Sequence, residues 1–355
     1  MKKLLLICSL LVLTSFTSLH SASYQVTDLD TLGSVYSEAL GINDSGQVVG
    51  RVLRDGYWNA FTYSDNTMTY LYPVPGTLFN ASGINDNGQI VGNGKGGAFL
   101  GYDSINWSFI PVIGNSPGNI ARGINDEGQV VGWRDERGVY SYHAFVYKNG
   151  SMHDLGTLGG NASDAFAINS SSQIVGWSET STLNQHAFLS SGGSMLDLGT
   201  ISGPNSTAND INETGQIVGW SDVDNGIHTH ASLWQNGLIL DLGTLGGNYS
   251  YAMAINDGGD VVGNSNTEDG YHAFVYVNGS IFDLNDLIDP SSGWILRDAT
   301  DINNSGQIIG HGINSFGQEH AFLLTQIPEP AIPEPTTILP TCIVTLLAWR
   351  KLRRH

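Results

Sequence analysis

Cysteine is nearly absent from this chain. Its 355 residues hold two, Cys8 and Cys342, each within a terminal apolar run. The body between them has none, so no disulfide can staple it, and its stability has to come from a large packed core. Basic residues are scarce as well: 14 Lys and Arg stand against 33 Asp and Glu, a formal charge of −19. Six of those 14 lie at the two ends, as Lys2, Lys3, Arg350, Lys351, Arg353 and Arg354. Residues 24–327 keep 8 Lys and Arg against 31 Asp and Glu, a formal charge of −23. Such a body repels nucleic acid and anionic membrane surfaces, whereas divalent cations and neutral polymers are compatible with it. No segment carries a convincing 3.6-residue apolar stripe, so nothing in the pattern calls for a helical fold. There is no H-E-x-x-H and no Walker A motif.

Glycine, by contrast, is abundant, with 45 residues, and one phrase keeps returning. GINDSGQVVG (41–50) recurs as GINDNGQIVG (83–92) and GINDEGQVVG (123–132), and more loosely at 167–176, 210–219, 254–263 and 301–310. Aligned on the Ile-Asn pair, the Asn falls at 43, 85, 125, 169, 212, 256 and 303, in steps of 40–47 residues. Seven copies at this period indicate an array of like units. Each copy shares an internal grammar: an alternating run ending at Ile-Asn, then a β-rich run such as GQVVGW (128–133), then HAFVY (143–147), then MHDLGTL (152–158). Asn-Asp-x-Gly between the first two runs suits a type I turn whose Gly takes positive φ, followed by a bulge. Asn-Gly at 149–150, 236–237 and 278–279, between the third and fourth runs, is a strong hairpin signal.

Four short antiparallel strands per period describe a β-propeller blade. The ends of the body agree. VTDLDTLG (26–33) matches the fourth runs MHDLGTLG and ILDLGTLG, while the last copy stops after its third run, HAFLLTQI (320–327). Pairing the spare strand with the incomplete copy removes the open edges of the array. The sequence therefore predicts an all-β, seven-bladed β-propeller over 24–327, its last blade built from both termini. A β-solenoid is the alternative fold, but it needs no such complementarity.

The flanks read as address labels. MKKLLLICSLLVLTSF followed by SLHSAS predicts a secretory signal peptide over 1–23, with signal peptidase as its partner. Cys8 lacks the small preceding residues of a lipoprotein site. Residues 328–337 form a stiff Pro-Glu-Pro linker, 338–349 an apolar segment, and 350–355 a basic tail. About twelve residues at ~1.5 Å each are short for a bilayer core of roughly 30 Å, so a frayed tail and a short transmembrane segment both fit. The basic cluster favours insertion with Arg353 and Arg354 left cytoplasmic.

Candidate chemistry is thin. His143, His186, His230, His272 and His320 recur one blade apart on a non-innermost strand, so they cannot converge on one ion; hydrogen bonding between strands or blades is expected instead. The repeated Asp28, Asp154, Asp197 and Asp241, and the turn residues Asp44, Asp86, Asp126 and Asp257, read as acceptors for backbone N–H groups. No metal site and no obligate cofactor is expected. Calcium is compatible with the charge, but Asn-Asp-x-Gly supplies too few oxygens. Trp133, Trp177 and Trp220 take the same place in three adjacent blades, either as packing between blades or as a row of platforms for sugar rings. An enzyme would need unrepeated carboxylates that face each other. Asp103, Asp135, Glu136, Glu179, Asp222 and Asp224 are the candidates, all in predicted loops.

The stretch HAFVYKNGSMHDLGTLGGNASDAFAINSSSQIVGWS (143–178) resembles the HAF-repeat extracellular proteins of bacteria, a likeness that covers nearly all of 24–327. The first two copies read NAF and GAF and the fifth HAS, departures that keep the Ala. The tail resembles a PEP-CTERM sorting signal: Pro328-Glu329-Pro330 and Pro333-Glu334-Pro335, then an apolar segment, then Arg350, Lys351, Arg353 and Arg354. That resemblance implies processing by an exosortase-type membrane peptidase in bacteria that make exopolysaccharide. It also implies transient or permanent inner-membrane anchoring before delivery to the cell surface or extracellular matrix. Together these features lead us to expect a non-enzymatic binding or scaffolding module associated with exopolysaccharide. A polysaccharide-acting propeller enzyme and a passive surface protein are the alternatives.

Overall fold

The computed structural model describes residues 24–71, 78–102, 107–111, 118–135 and 141–328. Seven four-stranded antiparallel sheets make up the described chain, joined by short turns and three 3-10 turns. In blades 1 to 6 the strands follow chain order, from the inner strand outward. The inner strands are Ser37–Ile42, Leu78–Ile84, Asn119–Ile124, Gly159–Ile168, Ser206–Ile211, Ser250–Ile255 and Ile295–Ile302. Each touches the inner strand of the next blade, and the seventh touches the first, so they enclose a central channel. The chain is a seven-bladed β-propeller.

Blade 7 closes the ring as expected. Its fourth strand is the N-terminal Tyr24–Asp28, paired antiparallel with Glu319–Gln326 from Tyr24↔Gln326 to Asp28↔Phe322. The strand expected to run to residue 33 stops at Asp28, because Asp30 and Leu32 turn at φ of 70° and 53°. The predicted signal, most of the linker and the apolar and basic tail lie outside the described residues. Among the described residues, no helix is long and apolar enough to cross a membrane.

The repeated phrases acquire separate physical jobs. The Phe of His-Ala-Phe packs into the preceding blade. Phe188 of blade 4 lies against Val131 and Ala144 of blade 3, and Phe145 of blade 3 against Val91 and Ala98 of blade 2. The Ala must be small to admit that ring, which is fully buried. The Gly of Val-Val-Gly answers to the same ring from its own sheet. A Cβ on Gly50 would sit 2.1 Å from the Glu38 carbonyl oxygen and 2.9 Å from the Phe61 ring. Blade 5, which reads HAS, fills the gap differently: Trp234, two residues beyond Ser232, packs against Val175 and Ala187 of blade 4.

The Asn of Ile-Asn-Asp-x-Gly does the most. Asn125 accepts the Gln129 N–H at 2.9 Å through Oδ1, and its Nδ2 donates to Gln129 Oε1 at 3.0 Å. That locks the turn, whose Gly128 takes φ of 74°. The same Nδ2 then donates to the carbonyl of Asn169, the equivalent residue of the next blade, at 3.0 Å. This bond recurs at every interface, from Asn43 to Asn85 through to Asn303, which returns to the Asn43 carbonyl at 3.0 Å. Asn256 makes the longest of the seven, at 3.4 Å.

Asn125→Ala should therefore cost about 2–4 kcal/mol in urea unfolding, since it strands a buried carbonyl and a turn N–H together. Asn256→Ala should cost measurably less. Equal losses in the two variants would show that the bond between blades contributes nothing beyond the turn.

Candidate functional site

The positions singled out from sequence scatter over the molecule. Trp133, Trp177 and Trp220 are half-buried between blades. Tyr142 of blade 3 stands 5.1 Å from the Trp133 ring and 5.9 Å, edge-on, from Trp177 of blade 4. Trp220 meets Tyr251 of blade 6 edge-on at 6.1 Å. The neighbouring tier holds polar pairs: between blades 3 and 4 Arg122 pairs with the buried Asp164 at 2.9 Å, and between blades 6 and 7 Asn264 donates to Asp298 at 2.9 Å. Burial raises Asp164 to about 6, with Arg122 opposing that rise.

The five repeated histidines each pair with the Asp of the adjacent fourth strand. His143–Asp154, His186–Asp197, His230–Asp241 and His272–Asp283 lie within blades at 2.6–3.1 Å. His320–Asp28, at 2.9 Å, ties the two ends of the chain together. The same carboxylates accept N–H groups two residues on, as Asp154 does from Gly156 at 2.7 Å. The turn carboxylates are acceptors too, but across blades: Asp86 accepts the Asp44 N–H and Asp126 the Asp86 N–H, each at 2.8 Å.

Of the unrepeated carboxylates, Glu179 holds the Asn161 N–H at 2.9 Å, Asp222 holds the Asn205 N–H at 3.1 Å, and Asp224 pairs with His228 at 3.0 Å. Glu179 anchors a loop of blade 4, and Asp222 and Asp224 anchor loops of blade 5. Asp135, Glu179 and Asp222 lie in strands and not in the loops expected for them. Asp103 and Glu136 lie outside the described residues. Among the described residues, no group of three or more His, Cys, Asp and Glu is placed to hold a metal. One G-x-S-x-G match, GNSPG at 114–118, falls outside the described residues except for Gly118. It precedes a strand, not the helix that a nucleophile elbow requires.

The central channel holds what the sequence reading missed. On the face of the Asn-Asp-x-Gly turns it opens as a cavity of about 390 Å³, ringed by Asp44, Asp86, Asp126, Glu213 and Asp257. Deeper lies a second chamber of about 200 Å³. Asp210 of blade 5 and Asp301 of blade 7 line it, at the position two before the Ile-Asn Asn. The other five blades carry Gly41, Gly83, Gly123, Ala167 and Ala254 there, so a small residue replaced twice by Asp was a signal available in the alignment. Asp210 accepts the Ile211 N–H at 2.8 Å and the Ile255 N–H of the next blade at 2.9 Å. Asp301 does the same with Ile302 at 2.8 Å and Ile42 at 2.9 Å. Burial raises Asp210 to about 6, against those hydrogen bonds. Burial, then the Asp210 charge, raises Asp301 to about 7.

On the opposite face, the loops between second and third strands raise apolar residues into solvent. Tyr57 is 67% exposed, Leu183 62%, Ile227 67%, Tyr271 47% and Phe316 85%. These belong to five different blades, and Val35, Tyr249 and Ile295 lie at the same end of the propeller.

No family model and no curated protein sequence matches the chain. Among solved structures it is similar to YCF48 bound to D1 peptide, at a TM-score of 0.52 and 13% identity over 89% of this chain and 99% of that one. TolB from Acinetobacter baumannii aligns at a TM-score of 0.48 and 10% identity over 79% of this chain; the alignment spans 64% of TolB, less than two thirds of its length. XC5397 from Xanthomonas campestris, described as a gluconolactonase, aligns at 0.42 and 10% identity over 86% of this chain and 90% of that one. At these identities the likeness is one of fold alone.

The raised carboxylates make a pH prediction. Asp164, Asp210 and Asp301 hold their protons more tightly folded than unfolded, so their contribution is complete below about pH 4. It is lost as pH rises through about 6 for Asp164 and Asp210 and about 7 for Asp301. The urea midpoint of an Asp210→Ala/Asp301→Ala variant should fall less between pH 5 and 8 than that of the parent. Parallel profiles would show that these two carboxylates are not titrating in that range.

Proposed function

We propose that this protein is an exported bacterial surface or matrix propeller of the HAF-repeat kind. In this reading it binds or scaffolds exopolysaccharide without cleaving it, and an exosortase-type peptidase processes its C-terminal tail. The observation that carries the binding role is the set of exposed loop-tip residues on five blades, with Tyr57, Tyr271 and Phe316 as its aromatic members. Aromatic rings stack on the apolar faces of sugars, and these three, on the adjacent blades 6, 7 and 1, give several weak contacts to a repeating polymer. The half-buried Trp133, Trp177 and Trp220 serve better as packing between blades. A net acidic body that avoids nucleic acid fits a neutral polymer.

The sorting reading rests on residue pattern: Pro328, Glu329, Pro330, Pro333, Glu334 and Pro335 before an apolar run and a basic end. Both chain ends of the propeller, Tyr24 and Gln326, emerge on the acidic turn face. A tail anchored in a membrane would therefore leave the loop-tip face pointing outward. A polysaccharide-cleaving enzyme is the second reading, and Asp210 and Asp301 in the channel are what favour it. Release of reducing ends from the polymer, lost in Asp210→Ala, would establish that reading over simple binding.

The ring closes within residues 24–326, so the body alone can be assayed. It should bind the host's exopolysaccharide saturably, and a Tyr57→Ala/Tyr271→Ala/Phe316→Ala variant should stay folded and bind roughly tenfold or more weakly. Binding that is absent in the parent, or unchanged in that variant, would leave a passive surface protein or a different face.

A further inference from the structure

The inner strands differ most from one another at the position three before the ring Asn. It carries Leu40, Ser82, Arg122, Phe166, Asn209, Met253 and Thr300, a different residue in every blade, although its neighbours repeat. All seven line the deeper chamber of about 200 Å³. Four of the seven hold the next blade by different means: Ser82, Asn209 and Thr300 donate to the carbonyls of Ala121, Ala252 and Ala39, and Arg122 pairs with Asp164, so the architecture demands no single residue there.

The chamber wall is also chemically two-sided. Alternate N–H groups of each inner strand pair with the second strand, as Asn85 does with Gln89, and the intervening Ile N–H turns toward the channel. Asp210 and Asp301 reach those groups from the channel side and cap four of the seven, on Ile42, Ile211, Ile255 and Ile302. The three that remain belong to adjacent blades: Ile84, Ile124 and Ile168. The residues beside them are Gly41, Gly83, Gly123 and Ala167, which offer no side-chain acceptor. One arc of the chamber thus presents backbone donors and the other presents carboxylates. Phe166 contributes a ring to the same wall, with the Arg122 guanidinium 5.3 Å from its centre.

We propose that this chamber binds one neutral sugar ring, either a free hexose or the terminal residue of a polysaccharide chain. Sugar hydroxyls accept from the three N–H groups and donate to the carboxylate arc, while the apolar face of the ring lies against Phe166. A free anion is disfavoured, because Asp210, Asp301 and the five carboxylates at the mouth surround the path to the donors. The proposal deepens the glycan reading and rests on it for the class of ligand, but it concerns a different part of the molecule from the loop tips.

Two variants extend the native capping pattern into the bare arc. Gly83→Asp places a carboxylate beside Ile84 and Ile124, as Asp301 stands beside Ile302 and Ile42. A Cβ there would meet the Arg122 carbonyl oxygen at 3.3 Å, a contact a small shift relieves. Ala167→Asp caps Ile168 from a residue that already has a Cβ. Glucose, galactose, mannose, glucuronate and a hexose-terminated oligosaccharide are titrated by calorimetry and saturation-transfer NMR against the parent and both variants. Polymer binding is measured on the same samples.

At least one neutral hexose should bind with a Kd in the millimolar range or tighter, and at least tenfold better than glucuronate. Each folded variant should lose that binding tenfold or more while keeping its polymer binding. Preference for the oligosaccharide over the free hexose identifies a chain end as the ligand. Hexose binding that survives in both folded variants overturns the proposal, as does tighter binding of glucuronate. Polymer binding without any hexose or oligosaccharide binding sinks the chamber and spares the loop-tip reading; hexose binding without polymer binding does the reverse.

Discussion

Seven asparagine amides hold this molecule in a ring. Each locks its own turn with two bonds to the residue four ahead and spends its remaining amide hydrogen on the next blade's carbonyl. Other hydrogen bonds between blades occur at some interfaces only, as Arg122–Asp164 and Ala144–Ser163 do, and apolar packing has no direction and tolerates small rotations. A hydrogen bond from a buried amide to a buried carbonyl does not, because leaving either group unpaired is costly in a site without water. The amide ring therefore sets the angular step between blades, and the packing fills the space that results.

From that step follow the other regularities. The Phe of one blade reaches the Ala and Val of the blade before it only when the sheets stand at the correct spacing. The Ala N–H of the third strand reaches the next blade's first-strand Ser, as Ala144 does with Ser163 at 2.8 Å and Ala321 with Ser37 at 2.9 Å. The last of these bonds crosses the point where the ends of the chain meet. There the His320–Asp28 pair repeats, between termini, a contact that blades 3 to 6 make within one continuous stretch of chain. Closure needs no device beyond those that blades 3 to 5 already contain.

Regularity also marks where function can reside. Histidines and carboxylates of the repeat are occupied in holding strands, turns and loops. What varies from blade to blade lies at two places: the channel wall and the loop tips. Loop-tip side chains meet solvent, so the fold places little demand on them, whereas on the channel wall Ser82, Arg122, Asn209 and Thr300 also bond the next blade, each in its own way. Asp210 and Asp301 belong to both worlds, since they brace neighbouring blades and carry the raised carboxyls of the channel.

Much of this was legible in the residues. Period, strand count, the Asn-Asp-x-Gly and Asn-Gly turns and the spare strand at 24–28 are local or periodic features. Turn chemistry acts over four residues, and a repeat announces itself by recurrence. The side-chain partnerships were not legible. That His143 would meet Asp154, or that Asn43 would bond to Asn85, depends on strand register and blade angle, which bring together residues 11 and 42 positions apart. Asp210 and Asp301 look like ordinary turn-flanking acids until the inner strands are seen to enclose a channel. The sequence by itself determined a ring of seven alike blades, because hydrophobic period and turn chemistry are written along the chain. Which residues face the ring's interior was decided only in three dimensions, because facing is a property of the closed circle.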